Sequence, residues 1–227
     1  MIERRVRRLA CALLALGLAG GLLPAHGAGL HFSCGYENNG PADEAKRIAS
    51  RAQSAVRREG KRVLSVRTAQ GVLRFQDKPP YDEPMAGTVH RFCDRGSGYT
   101  LVTVEEEGGI TGVLVDEASG KKTRAGAEVL LSNDRRAYFA ASGEDGLDGM
   151  IWKIHAIDGT TSWSGYNFIE QANGYSDTTL DTPAWTDTGE FTAMAQCLAD
   201  DKRRWKVKLT KVNGKWQWLP KRTCPRS

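Results

Sequence analysis

The sequence predicts a mainly β fold: an antiparallel sheet forming a barrel, a sandwich or a small propeller-like array, with one N-terminal helix. Three observations carry this expectation. Short runs rich in Val, Leu, Ile and Thr recur from Val63 to Trp218, separated by Gly, Asn and Asp. The stretch after Gly40-Pro41 carries the chain's one persuasive helical apolar period. Near the end, Trp205, Val207 and Leu209 alternate with Lys206, Lys208 and Thr210. Asn213-Gly214 then turns the chain into Trp216 and Trp218. That period of two belongs to a sheet with one buried and one wet face.

Taken in order, Met1–Gly27 has the anatomy of a secretory signal peptide. Arg4, Arg5, Arg7 and Arg8 precede an apolar stretch of 15 residues, Leu9–Leu23, and Ala25-His26-Gly27 supplies small residues for cleavage. The stretch is shorter than the about 20 residues of a membrane span, so no stable span is expected after cleavage. Removing this segment takes away 4 basic residues and 1 acidic one, and lowers the formal charge of the 227-residue chain from +5 to +2. The basic balance is therefore largely a targeting device.

Residues 28–61 form an N-terminal arm and an amphipathic helix. Ala45, Ile48, Ala49, Ala52 and Val56 share a thin apolar face, with Gly60 as the stop. Residues 41–67 hold 8 basic and 3 acidic side chains, a solvated surface or a face for an anionic polymer. Residues 62–227 form the antiparallel β domain. Strands are expected at Val63–Val66, Val72–Phe75, Thr88–Cys93, Tyr99–Val104, Gly112–Val115, Glu128–Leu131, Ala137–Ala141, Met150–Ile157 and Thr160–Ile169. Asp77–Pro84, with three prolines, reads as a loop. Residues 171–188 are polar, contain Gly and Pro, and read as an extended loop or partner-binding arm. Phe191–Cys197 then resumes the sheet or forms a short helix.

Without Cys11, four cysteines remain: Cys34, Cys93, Cys197 and Cys224. An even number in an exported chain points to disulfides. Of the three possible pairings, Cys34–Cys93 and Cys197–Cys224 are favoured. The first ties the arm to an early strand, and the second clamps the basic tail to the strand before it. Close Cys-x2–4-Cys spacing for zinc and Cys-x-x-Cys for redox chemistry are both missing.

The same search for chemistry finds no nucleophile elbow. His90 and His155 fall in strands, half-buried or facing solvent, and His31 lies in the arm. Glu144, Asp145 and Asp148 sit in a Gly-rich turn that is a weak calcium candidate. No other cofactor is expected. Carboxylates around Asp145, Asp148 and Asp181 leave a carbohydrate-active or envelope-remodelling hydrolase as an alternative, which requires two carboxyl groups facing across a cleft.

All six tryptophans lie between Trp152 and Trp218, and the aromatics Tyr99, Tyr166, Tyr175 and Trp185 form a candidate binding surface for a protein or a glycan. Residues 151–201 hold 8 acidic and 1 basic side chain, whereas residues 202–227 hold 10 basic and no acidic ones. The acidic tract is a ready internal partner for the tail, and nucleic acid is not expected as a ligand.

Ser97-Gly98-Tyr99 and Ser164-Gly165-Tyr166 resemble loops that periplasmic lysozyme inhibitors, small exported β proteins, present to an enzyme cleft. The resemblance covers only these few residues and assigns no role to any of them. It implies an inhibitor or immunity factor against a cell-wall hydrolase. The expectation is thus a periplasmic or secreted binding protein of the cell envelope, with binding favoured over catalysis and an envelope or secreted protein as partner. A structural envelope component is the remaining alternative.

Overall fold

The computed structural model describes residues 29–34, 40–80, 86–143, 150–170 and 176–224. It is mainly β, with antiparallel sheets that close almost into a barrel and a single short helix. Strand β1 (His31–Ser33) and helix α1 (Pro41–Arg51) are followed by four meanders. The first comprises β2 (Val56–Glu59), β3 (Val63–Thr68) and β4 (Gly71–Gln76). The second comprises β5 (Thr88–Gly96), β6 (Tyr99–Glu106), β7 (Gly109–Asp116) and β8 (Lys122–Gly126). The third runs through β9 (Glu128–Leu131), β10 (Ala137–Gly143), β11 (Met150–Ala156) and β12 (Thr161–Tyr166). The fourth runs through β13 (Phe168–Glu170), β14 (Ser176–Trp185), β15 (Phe191–Cys197), β16 (Asp200–Val212) and β17 (Lys215–Leu219).

The second and third meanders share one sheet, ordered β1-β9-β10-β7-β6-β5. Its two ends meet through the Cys34–Cys93 disulfide, with Cα atoms 5.6 Å apart, so the sheet curls into a nearly closed barrel. Phe32, Leu101, Leu114, Val129, Leu131 and Tyr138 fill the interior. Neighbouring residues on the same strands point the other way. Phe92, Val102 and Val115 meet Leu64, Val66 and Phe75 of the first meander. Leu130, Phe139, Trp152 and Ile154 meet Leu180, Phe191, Trp205, Val207 and Trp218 of the fourth. Both faces of the barrel wall are apolar, which is why Leu101-Val102, Leu114-Val115 and Val129-Leu130-Leu131 read as unbroken apolar runs.

The barrel tightens where β7, β8 and β10 converge. A Cβ on Gly126 would lie 1.9 Å from the Ala141 carbonyl oxygen, and one on Gly112 would lie 2.2 Å from that of Gly126. Only glycine permits this backbone approach.

Three expectations need correction, and one strand was not foreseen. The helix ends at Arg51, not Gly60. Gln53 and Ser54 take positive φ, and Val56 starts β2 opposite Val66. A β-branched residue gains more from that cross-strand contact than from extending a thin alanine face. The polar segment 171–188 contains β14 in place of a continuous loop, with Thr178 and Leu180 buried. Its residues 171–175 lie outside the described set. β8 was not anticipated at all. Finally, His155 is 2% exposed, stacked on Tyr138 at 4.8 Å.

The expected loop at 77–84 is described only through Pro80. Phe191–Cys197 is a strand, and the expected strand at 160–169 divides at Asn167, whose side-chain oxygen accepts the Met150 N–H at 2.9 Å. Both favoured disulfides are present.

Candidate functional site

A groove of about 760 Å3 opens beside α1, bounded by the β2–β3 turn and by β5. Its floor follows from how the helix sits. Glu44 and Ala52 are buried and Ile48 is partly buried, one helical turn apart, so this stripe faces β5. Ala45 and Ala49, from the thin apolar face of the helix, border the groove together with Ile48 and Val89.

Beneath the floor, Arg58 of β2 reaches two buried carboxyl groups. Its Nε and Nη2 donate to Glu44 at 2.8 and 3.1 Å, and its Nη1 donates to Asp77 at 3.3 Å. The backbone N–H of Phe92 also donates to Glu44, at 2.6 Å. Asp77 accepts the backbone N–H of His90 at 2.8 Å and lies 3.3 Å from its Nδ1. Arg58 donates to the His90 carbonyl as well, and Arg47 Nε donates to that of Phe92 at 3.0 Å. Burial pushes the Asp77 carboxyl upward, but its hydrogen bonds with His90 and the Arg58 charge outweigh it. The net shift is below the ordinary value of 3.8.

The lining therefore has a polarity. Of its charged side chains, the acidic Glu44 and Asp77 are buried, at 3% and 5% exposure. Arg57, Lys61 and Arg62 are exposed on the rim, with half-buried Arg91 beside them. Arg57 and Arg91 contact the carboxylates Glu59 and Glu105 at 3.0 and 3.2 Å. Contacts of this kind near solvent are weak enough to be exchanged for a ligand.

The aromatic residues singled out from sequence do not form one surface. Tyr99 starts β6 and packs against the barrel core beside the two-residue Ser97-Gly98 turn. Tyr166 ends β12 opposite Ile151, is 45% exposed and stacks on Phe168 at 4.9 Å. β10 spans the distance between these ends. Arg135, just before it, donates to the Ser97 carbonyl, and Gly143, its last residue, pairs with Ile110. The six residue-to-residue steps from Ala137 to Gly143 separate the ends by roughly 20 Å. Ser164-Gly165-Tyr166 is part of a strand and not a loop. Trp185 is structural in part, its indole N–H held by the Leu130 carbonyl at 2.9 Å. Tyr175 and the calcium candidate Glu144, Asp145 and Asp148 lie outside the described residues.

The Asp181 carboxylate accepts from Arg204 at 2.6 Å and from the Thr182 hydroxyl. Among the described residues, no group of three His, Cys, Asp or Glu side chains gathers where it could hold a metal ion. No helix among them is long and apolar enough to cross a membrane.

Sequence reasoning missed Glu44, Arg58, Asp77 and His90 as a unit. One signal was available. Glu44 lies four residues before Ile48 and eight before Ala52, on the same stripe, so a buried Ile48 and Ala52 carry Glu44 inward with them. Comparison with protein-family models, with curated proteins and with solved structures finds no match to this chain.

Proposed function

We propose that this protein is an exported binding protein of the cell envelope, periplasmic or secreted, that holds an amphipathic anion in the groove beside α1 and performs no chemistry on it. One observation carries the reading: the groove turns its acids inward onto Arg58 and its cations outward, over a floor of Ala45, Ile48, Ala49 and Val89. An acyl chain ending in a carboxylate or phosphate satisfies both parts. The chain covers the floor, and the head group accepts charge-assisted hydrogen bonds from Arg57, Lys61 or Arg62. A volume of 760 Å3 lies within the range of small-molecule sites. The two disulfides fit an oxidising, extracytoplasmic compartment.

A second reading, inhibition of a cell-wall hydrolase, draws on Tyr166, a large exposed aromatic held flat against Phe168. One set of variants separates the two. By calorimetry, dodecyl phosphate and dodecanoate should bind and dodecanol should not. The double substitution Arg57→Ala with Lys61→Ala weakens binding about tenfold or more, the worth of one charged hydrogen bond. Equal binding of dodecanol, or no binding of either anion, would sink the groove reading. Inhibition of a muramidase that is lost in Tyr166→Ala but kept in the groove variant would establish the other.

A further inference from the structure

On the opposite wall of the barrel from the groove, a cavity of about 270 Å3 opens at the edge of the core between β11 and the fourth meander. Phe191 and Ile154 lie in its lining, with Trp185 and Trp216 as aromatic walls. Both indole N–H groups are already committed, Trp185 to the Leu130 carbonyl at 2.9 Å and Trp216 to the Ser162 carbonyl at 3.0 Å. The rings are therefore fixed by backbone of β9 and β12, and what they offer a ligand is flat apolar surface. Charge gathers beside that surface. Glu190 accepts from Lys208 Nζ at 2.7 Å, and Lys211 Nζ lies over one face of the Trp216 ring, 5.0 Å from its centre, which leaves Trp185 and the other face of Trp216 as the apolar surface.

We propose that this cavity is a carbohydrate site that takes a single pyranose ring. A pyranose joins an apolar C–H face to a rim of hydroxyls, each able to donate and accept at once. The face suits the fixed aromatic walls. The hydroxyls can donate to Glu190 while accepting from Lys208 and Lys211. A purely apolar ligand of the same size would strip water from the ion pair and give nothing back. A simple anion would meet the Glu190 carboxylate, ionised at neutral pH and hydrogen-bonded to Lys208. The site shares no residue with the groove beside α1, and the proposal does not rest on that reading.

The test titrates the full mature chain with methyl β-glucopyranoside, methyl β-galactopyranoside and methyl N-acetyl-β-glucosaminide, with cyclohexanol as the apolar control. Intrinsic tryptophan fluorescence and saturation-transfer NMR report binding. At least one glycoside should change the fluorescence saturably and receive saturation chiefly at ring C–H protons. Trp216→Ala should abolish the effect. Glu190→Gln, a substitution at a solvent-facing pair that leaves the core intact, should weaken it about fivefold or more, the scale of one lost hydrogen bond. The proposal is overturned if no glycoside binds at tens of millimolar, if cyclohexanol binds as well as the best glycoside, or if Glu190→Gln leaves the affinity unchanged.

Discussion

Glu44 and Asp77 are carboxyl groups at 3% and 5% exposure, and a single guanidinium, Arg58, serves both. Buried ion pairs add little net stability compared with an apolar replacement, but removing one member strands the other at a cost of about 3–5 kcal/mol. Arg58 therefore acts mainly as a positioning group: it fixes the pitch of α1 over β5 and with it the shape of the groove floor. Histidines at the same scale set a pH dependence. His155 is buried against Tyr138, and Thr161 Oγ1 lies 3.1 Å from its Nδ1. Burial, aided by the charges of Lys153 and Arg124, holds its pKa below 6.5. As pH falls through 6.5, the unfolded chain takes up a proton that the folded chain resists, so stability declines on acidification. His31 works the other way: its hydrogen bond with Glu128 raises its pKa, a contribution present below 6.5 and lost as pH rises. Its side chain is 51% exposed, so solvent screens that term and His155 dominates. Urea unfolding at a series of pH values should show the midpoint falling below neutrality. His155→Gln should flatten the slope and His31→Gln should steepen it. A slope unchanged by His155→Gln would contradict the assignment.

Among the elements, the short strand β1 does more than its three residues imply, because it closes the barrel. It pairs with β9 on one side, and on the other the Cys34–Cys93 bridge takes the place of a full ladder to β5. Chain-entropy reasoning over its separation of 59 residues gives about 4 kcal/mol, and over the 27 residues of Cys197–Cys224 about 3.5 kcal/mol. Replacing each pair by alanine and measuring urea unfolding should show losses of this order. A loss under about 1 kcal/mol for the first pair would mean that the seam is held without it. Much of this element order was legible from local pattern. Asn213-Gly214 and the Glu107-Gly108 turn mark hairpins, and the β16–β17 alternation is unambiguous. β14 was hidden because Pro183 reads as a breaker. In the fold Pro183 sits at an irregularity between Asp181 and Ala184, where Thr182 takes positive φ and no ladder bond is lost to the ring. The groove was illegible for a different reason. The burial of Glu44 depends on Arg58, fourteen residues away on another element, and no local period encodes that pairing.

Across the whole molecule, the acidic and basic tracts meet inside the fourth meander. Arg204 contacts Asp181 at 2.6 Å and Lys208 contacts Glu190 at 2.7 Å, so part of the tail's charge is neutralised within its own sheet. These exposed pairs contribute little to stability. Cohesion comes from the three apolar cores, and the barrel wall belongs to all of them. The first meander buries its apolar face on Phe92, Val102 and Val115, and the fourth buries its own on Leu130, Phe139 and Trp152. If the barrel opens, each flanking sheet, of three or five strands, loses the surface it was folded against, and its apolar face must be buried against another layer to be stable in water. The four meanders should therefore unfold as one unit. The tryptophans provide a direct check, since all six lie within 152–218 and report on the fourth meander and its contact with the barrel. Far-UV circular dichroism, in contrast, reports on every sheet. Urea transitions followed by the two signals should coincide. A fluorescence transition at lower urea would show the fourth meander detaching from an intact barrel, and would mean that the core around Phe139 and Phe191 is not coupled to the interior around Tyr138.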